Sequence, residues 1–214
     1  MRLITIRHGE TEWNVQGREM GQLDSPLTTR GVQQAHAIAR RLNRLPFDAL
    51  YSSDLGRAVQ TADIIASLCG KTVTLDEGLR ERHMGIFQGL TVAEMRNRFP
   101  KERQDYERSG FEYVISGGES ARQRSERSVR VLTAIAERHP EETIVTVTHG
   151  GFLMGFFESV LGIPQGNGWR RFKRYNGSYS AFEYFGGRWC LEVWNDVSHL
   201  DGTESLDDPT IQAH

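Results

Sequence analysis

The sequence predicts an α/β domain with parallel strands at its centre, and two similar segments are the basis of that prediction. A β-branched run at residues 3–6 ends on Arg7 and His8, and a second run at residues 143–148 ends on His149. Short apolar runs of this kind are typical of strands buried on both faces of a parallel sheet, and ligands bind beyond the carboxyl ends of such strands. The two histidines can face each other only if their strands are neighbours, which a βα architecture allows.

Length and cysteine usage indicate a single reduced domain. A chain of 214 residues fits one large domain whose core needs neither disulfides nor a metal. Cys69 and Cys190 have no motif spacing, and Cys69 lies in an apolar helical pattern that predicts a reduced thiol. The first residues lack a signal-peptide core, and no segment approaches the roughly 20 apolar residues that span a bilayer. We therefore expect a cytoplasmic protein without a membrane partner.

The charge distribution argues against a nucleic-acid partner. The formal net charge is −2, and residues 201–214 contain Asp and Glu but no Lys or Arg. The rest of the chain is therefore close to neutral, without the broad basic face that nucleic-acid binding needs. We predict one domain over residues 1–200, followed by an acidic, disordered tail over residues 201–214.

The first strand is followed by a loop and a helix. Residues 10–26 are long for a βα connection, and long ordered loops tend to be functional. A helix capped by Thr28 or Thr29 follows and ends before Pro46. Helical spacing predicts that its buried face is formed by Ala35, Ile38, Ala39 and Leu42. Its solvated face is predicted to contain Gln33, His36, Arg40 and Arg41.

A second strand at residues 48–51 precedes the next helix. Ser52, Ser53 and Asp54 are candidate caps for that helix, and Gly70 is its expected C′ residue. The residues predicted to be buried are Ala58, Thr61, Ala62, Ile65 and Leu68.

Arg57 lies in the first turn of this helix and off its apolar stripe. A cation there is unfavourable with the helix dipole, so a compensating group is expected, and a bound anion would serve. A solvated surface arginine is the alternative, and the sequence does not decide between them.

Glu81 follows a weak strand at residues 72–75 and lies between Arg80 and Arg82. An exposed, ion-paired glutamate is the default interpretation. The functional one is a general acid, which requires burial that keeps the carboxyl partly protonated near neutral pH.

The rest of the chain alternates helices, a strand and a hairpin. Residues 91–99 resemble a short helix, whereas residues 101–115 are polar and remain unassigned. Ser120 and Gln123 match a capping box that begins the next helix, and Pro140 ends it. Its buried side is predicted to contain Val129, Leu132 and Ala136. The remaining predicted elements are a helix over residues 150–161 and a hairpin of residues 179–185 and 189–194.

These residues together indicate an anion site. His8, His149, Arg7 and Arg57 are donors and cations expected near helix N-termini, an arrangement that most naturally binds a phosphoryl group. The seven histidines show no metal-ligand spacing, and no P-loop, G-x-G-x-x-G or G-x-S-x-G motif is present. Nucleophilic catalysis by an imidazole is the chemistry that remains.

The motifs resemble those of a known family. The segment Arg-His-Gly-Glu-Thr at residues 7–11 with Asn14, then Arg57, then Leu-x-Glu-x-x-x-Gly at residues 79–85, then His149 with Gly150, resemble the histidine phosphatase superfamily and its phosphoglycerate mutase-like fold. The resemblance covers about residues 2–195 and follows the family's order. It implies a three-layer α/β/α sandwich with a mostly parallel central sheet.

The resemblance also implies roles for individual residues. His8 would attack phosphorus as a neutral imidazole, and Glu81 would protonate the leaving oxygen and then activate water. The implied catalytic residues are His8, Glu81, His149, Arg7 and Arg57. The implied substrate-binding residues are Arg7, Asn14, Gly21, Gln22, Arg57 and Gly150. No cofactor and no metal is expected.

The activity implied is hydrolysis of a small phosphorylated metabolite. Mutases of the family resemble this chain but have a longer insertion after the Glu81-like position, a tyrosine at the position of Met84 and an asparagine at that of Gly151. The short segment here, residues 89–117, favours water as the acceptor. Cofactor-dependent phosphoglycerate mutase and a non-catalytic phospho-ligand-binding relative are the alternatives.

The substrate and the assembly are not decided by the sequence. Specificity is expected from residues 16–24, 84–111 and 175–179, with phosphoserine, phosphoglycerate, sugar phosphates and cobalamin-pathway phosphates as candidates. A homodimer through the Trp169 and Phe172 region or the hairpin edge is a further hypothesis.

Overall fold

The computed structural model describes residues 1–164 and 172–200, and this part of the chain contains a six-stranded sheet. The strands are β1 (Arg2–Arg7), β2 (Ala49–Ser52), β3 (Val73–Leu75), β4 (Thr143–Thr148), β5 (Tyr179–Phe185) and β6 (Arg188–Asp196). Their order is β3-β2-β4-β1-β5-β6: β1 to β4 are parallel, β5 is antiparallel to β1, and β6 is antiparallel to β5. The predicted mostly parallel sheet is confirmed.

Helices cover both faces of this sheet. They are α1 (Glu12–Gln16), α2 (Thr29–Leu42), α3 (Gly56–Cys69), α4 (Val92–Arg98), α5 (Pro100–Ser109), α6 (Ala121–Arg138) and α7 (Gly150–Val160). Short 3₁₀ turns lie at Glu77–Leu79, Gly85–Phe87 and Ser198–Leu200.

Alternate residues of β1 face two different cores. Ile4 and Ile6 pack with α2 and α3, whereas Leu3 packs with α6 and α7. Successive side chains of a strand point to opposite faces, so one strand serves both layers. The result is the expected three-layer sandwich. A third, smaller cluster lies around Phe87 and Met95 beside α4 and α5.

Several local predictions are wrong. The segment 10–26 is not a plain loop, because Thr11 forms a capping box with Asn14 and begins α1. The capping candidates Ser52, Ser53 and Asp54 do not cap α3, whose N-cap is Leu55 without a side-chain bond. Leu68, which was predicted to be buried, is 44% exposed. Residues 100–109, part of a segment that the sequence left unassigned, form helix α5.

The strand-end segment packs tightly against α2. A Cβ on Gly9 would overlap the carbonyl oxygen of Gly31, and a Cβ on Gly31 would overlap that of Glu10. Both obstacles are backbone atoms, which cannot rotate away. Glycine at these positions therefore allows the first turn of α2 to lie against the residues that follow β1.

In residues 1–164 and 172–200, no helix is long and apolar enough to cross a bilayer. Phe172, a candidate dimer residue, packs against Phe157 with ring centroids 4.9 Å apart. Trp169 and the predicted tail at residues 201–214 lie outside the described residues.

Candidate active site

His8 and His149 lie side by side at the carboxyl edge of the sheet. Strands β1 and β4 are neighbours in register from Arg2 with Thr143 to Arg7 with Thr148, so the two histidines follow paired residues. Their ring centroids are 5.2 Å apart, with 58° between the ring planes. Both side chains are buried. A shared edge of parallel strands thus brings together residues 141 positions apart.

The hydrogen bonds of His8 define its tautomer. Nδ1 lies 2.8 Å from the carbonyl oxygen of Gly9, which can only accept, so Nδ1 bears the proton. Nε2 lies 3.3 Å from Nε of Arg57, which can only donate, so Nε2 has its lone pair. His8 therefore presents an unprotonated nitrogen toward a guanidinium group.

Asn176 and Gly177 support the segment that bears His8. The Asn176 amide donates to the carbonyl oxygens of His8 (3.1 Å) and Gly9 (3.4 Å). The Gly177 N–H donates to the carbonyl oxygens of Arg7 and His8. The sequence predicted that residues 175–179 contribute to specificity. The contacts of Asn176 and Gly177 given above are to the backbone of residues 7–9, so these two residues support the position of His8.

Arg57 is 1% exposed, so a solvated surface arginine is the wrong alternative. Its guanidinium donates to the carbonyl oxygens of Gly21 and Leu23, both at 2.8 Å, and to Oδ1 of Asp24 at 3.1 Å. Asp24 also accepts from the backbone N–H groups of Gly56 and Arg57 at the start of α3. This carboxylate is the compensating group that the helix dipole requires.

Burial lowers the pKa of Arg57, whereas the charge of Asp24 raises it. The guanidinium remains a cation at neutral pH, because arginine stays protonated in proteins. A desolvated cation beside Nε2 of His8 attracts an anion far more strongly than one in water.

Arg7 lies along the first turn of α7. Its Nη1 donates to the carbonyl oxygen of Arg174, and a Cβ on Gly150 would come within 3.0 Å of its Nε. Gly150 thus leaves room for this guanidinium beside the helix N-terminus, where backbone N–H groups and the dipole favour anions.

His149 is a buried neutral imidazole. Its Nε2 lies 2.8 Å from Oγ of Ser53, and its Nδ1 has no hydrogen-bond partner in the described part of the chain. Burial lowers the pKa of His149 well below 6.5, and the charges of Arg57 and Arg7 lower it further. A buried nitrogen without a partner is costly, and a phosphoryl oxygen at that nitrogen would remove the cost.

Glu81 is held by backbone groups and not by an arginine side chain. Its carboxylate accepts from the N–H of Arg82 at 2.8 Å and from the N–H of Gly151 at 2.7 Å. Arg80 pairs with Asp54, and the Arg82 guanidinium donates to backbone carbonyls. The default interpretation of Glu81 as an exposed, ion-paired residue is therefore wrong.

The other predicted substrate-binding residues have contacts within the protein. Oδ1 of Asn14 accepts from Thr11 and Asn176, the Gly21 carbonyl holds Arg57, and Gln22 donates to the carbonyl of Glu81 at 3.0 Å. Gly21 and Gln22 therefore link Arg57 to the segment that contains Glu81.

Three neighbouring residues have roles that sequence reasoning missed. Asp24 lies in the segment 10–26, whose length predicted a functional loop but not the role of this residue. Ser53 was considered only as a capping residue. Arg124 on α6 is buried against the carbonyl of Gly151, and no sequence signal distinguished it from the other arginines. In residues 1–164 and 172–200, no cluster of three His, Cys, Asp or Glu side chains could hold a metal ion.

The comparison with family models covers nearly the whole chain. Residues 3–197 match the model described as histidine phosphatase superfamily (branch 1). The chain belongs to the histidine phosphatase superfamily. One relative in this superfamily, phosphoglycerate mutase-like protein 4 of Arabidopsis thaliana, is 39% identical over 95% of this chain and 89% of its own.

Solved structures of the superfamily share the fold. YhfR of Bacillus stearothermophilus is 34% identical with a TM-score of 0.87, and covers 93% of this chain and 98% of its own. A phosphoserine phosphatase of Entamoeba histolytica, solved in complex with phosphoserine and with 3-phosphoglyceric acid, is 32% identical with a TM-score of 0.82. It covers 93% of this chain and 98% of its own. The names in this superfamily thus include both mutases and phosphatases.

Proposed function

We propose that the chain is a metal-independent hydrolase of small phosphomonoesters that works through a phosphohistidine on His8. The observation that supports this most directly is the tautomer of His8: Nδ1–H donates to the carbonyl oxygen of Gly9, and the Nε2 lone pair faces Arg57. An imidazole in this state can attack phosphorus without first losing a proton.

In the first step, Nε2 of His8 forms a bond to phosphorus as the ester oxygen leaves. Negative charge spreads over the phosphoryl oxygens, and Arg7, Arg57 and His149 would donate to them. The carboxyl of Glu81 would give its proton to the leaving oxygen. Removal of one such donor, as in Arg57→Ala, should raise the barrier by ~3–4 kcal/mol, as in oxyanion-hole deletions.

In the second step, water attacks the phosphohistidine. Glu81, now a carboxylate, would take the proton from water as the phosphorus–nitrogen bond breaks and phosphate forms. The backbone N–H groups of Arg82 and Gly151 would hold the Glu81 carboxylate in place at this stage.

Hydrolysis is favoured over mutase activity by the surroundings of the site. Arginines of α4 and α5 pair with acids of α5, namely Arg96 and Arg103 with Glu107 and Arg108 with Asp105, which argues against a second phosphate site formed by these arginines. Met84 is buried in the third cluster. Phosphoserine and 3-phosphoglyceric acid, bound by the Entamoeba histolytica relative, exemplify the class of substrate.

The reaction type is tested by comparing two activities. Phosphate release from a panel of phosphomonoesters, with a chelator present, should exceed phosphoglycerate mutase turnover. Mutase turnover well above hydrolysis would establish the alternative function, and loss of activity with the chelator would contradict metal independence.

The intermediate is tested by labelling. Incubation with a labelled phosphoester and rapid acid-free quenching should leave acid-labile label on the protein, and His8→Ala should abolish it. His36→Ala, on the exposed face of α2, is the matched control and should retain the label. Equal labelling of the His8→Ala protein would contradict the proposal, and a catalytically silent relative would show no label in any variant.

A further inference from the structure

Two glycines of α7, one in its first turn and one a turn later, make room for charged side chains. A Cβ on Gly151 would overlap Oε1 of Glu81, and a Cβ on Gly155 would come within 2.7 Å of Nε of Arg124. The two glycines are four residues apart and so lie on one face of the helix. The side chains of Glu81 and Arg124 therefore pack at neighbouring positions on this face of α7.

Both backbone groups of Gly151 are used by these side chains. Its N–H donates to Oε2 of Glu81 at 2.7 Å, and its carbonyl oxygen accepts from Nη1 of Arg124. The N–H belongs to the first turn of α7, where helices leave donors without intrahelical partners. Position 150 is also glycine, so this turn has unusual backbone freedom and needs an external restraint.

Arg124 is suited to be that restraint. It is 8% exposed, and its Nε contacts the carbonyl oxygen of Ala121 in its own helix at 3.4 Å. Burial lowers its pKa to about 10, whereas the charge of Glu81 raises it. Arg124 is therefore a buried cation at neutral pH, next to the position at which Glu81 packs on α7.

We propose that Arg124 is a positioning residue for Glu81: by fixing Gly151, it keeps the carboxyl where it can protonate the leaving oxygen. This inference rests on the proposed function, because it assumes that Glu81 is the acid. Arg124 itself has no contact with the reacting atoms in the proposed mechanism.

The test compares two leaving groups. The phenolate of an aryl phosphate such as p-nitrophenyl phosphate can leave without being protonated, whereas the alcohol oxygen of an alkyl phosphate such as glycerol phosphate needs a proton to leave. Arg124→Gln should lower kcat/KM for the alkyl phosphate at least tenfold more than for the aryl phosphate. Phosphohistidine should accumulate during turnover of the aryl phosphate, because Glu81 would also activate water less well. A general loss of packing would lower both values together.

Two variants calibrate the measurement. Glu81→Gln should show the same preference for the aryl phosphate to a greater degree, and Arg130→Gln, an exposed arginine on the same helix, should show none. If Glu81→Gln shows the preference and Arg124→Gln does not, the positioning role alone is wrong. If Glu81→Gln shows none, the acid role of Glu81 fails and the positioning role fails with it.

Gly151→Ala keeps the proposal testable if Arg124→Gln does not fold. Alanine is a better helix former than glycine, so α7 itself should not be weakened. The added methyl should nevertheless displace Glu81 and lower the alkyl-to-aryl ratio of kcat/KM at least tenfold. An unchanged alkyl-to-aryl ratio of kcat/KM in Gly151→Ala would overturn the proposal, because contact with Gly151 would then not position the carboxyl of Glu81.

Discussion

His8 and His149 have the same side chain but different chemical states. His8 has an Nε2 lone pair that accepts from Arg57, whereas His149 is buried beside the guanidinium groups of Arg57 and Arg7. The sequence predicted the two histidines as a pair, because each follows a β-branched run. It could not show which nitrogen of each ring is available, since that depends on partners such as Gly9 and Ser53.

The lowered pKa of His149 gives a pH dependence of stability. Above pH 6.5 His149 is neutral in the folded and unfolded states, so it contributes nothing. Below that pH the unfolded chain binds a proton there and the folded protein does not, so the free energy of unfolding falls as pH falls.

Urea denaturation at pH 7.5 and 5.5 measures this effect. His149→Gln should lose about 1.4 kcal/mol less than the wild type between these two pH values. Equal losses in both proteins would show that the folded protein accepts the proton.

Asp24 is the residue on which the geometry of Arg57 depends. The sequence indicated that a group should compensate the first-turn cation, but not which one, because the partner lies 33 residues away. Asp24→Ala should lower the free energy of unfolding by about 0.5–2 kcal/mol, because α3 loses its cap, and should lower kcat/KM.

Asp63→Ala, an exposed carboxylate on the same helix, is the matched control for urea denaturation and kinetics. It should change stability by less than about 0.5 kcal/mol. If the two variants behave alike, Asp24 has no role in capping α3 or in holding Arg57.

At the scale of elements, the packing of α2 against the end of β1 determines where His8 lies. Gly31→Ala would normally stabilise a helix by about 1 kcal/mol. Here the Cβ would overlap the carbonyl oxygen of Glu10, a backbone atom that cannot move aside. We therefore expect a net loss of about 1–3 kcal/mol in the free energy of unfolding.

Val32→Ala, at an exposed position in the same turn, is the control and should change the urea midpoint little. A stabilised Gly31→Ala protein would contradict the close approach of α2 to the strand end.

Elements with a clear buried face were predicted from the sequence, and those without one were not. The periodicity of residues 29–42 identified α2, and β-branched runs identified β1 and β4. Helix α5 has no buried residue, so its sequence lacks the apolar stripe that reveals a helix. Helix α1 has five residues, too few for a periodic pattern.

In the molecule as a whole, the turn Ser198–Leu200 packs against the folded domain. Leu200 is buried, Arg41 of α2 pairs with Asp196, and Nε2 of His199 lies 2.9 Å from the carbonyl oxygen of Gly177. The turn that ends at Leu200 is therefore part of the folded unit, and the domain over residues 1–200 stays a prediction.

Truncation tests this boundary. A chain that ends after Leu200 should unfold in one urea transition with an unchanged midpoint, whereas a chain that ends after Asn195 should be clearly less stable. Equal midpoints for the two truncations would show that the last turn contributes nothing to the fold.

In the proposed mechanism, Nε2 of His8 is the atom that receives the phosphoryl group. This atom can be identified by ³¹P NMR of the phosphoenzyme, trapped during turnover and held at alkaline pH, together with peptide mapping that locates the modified residue. We predict a single phosphohistidine at His8, substituted on Nε2. Phosphate on Nδ1 of His8, on another residue, or on no residue during turnover would show that Nε2 of His8 is not the nucleophile.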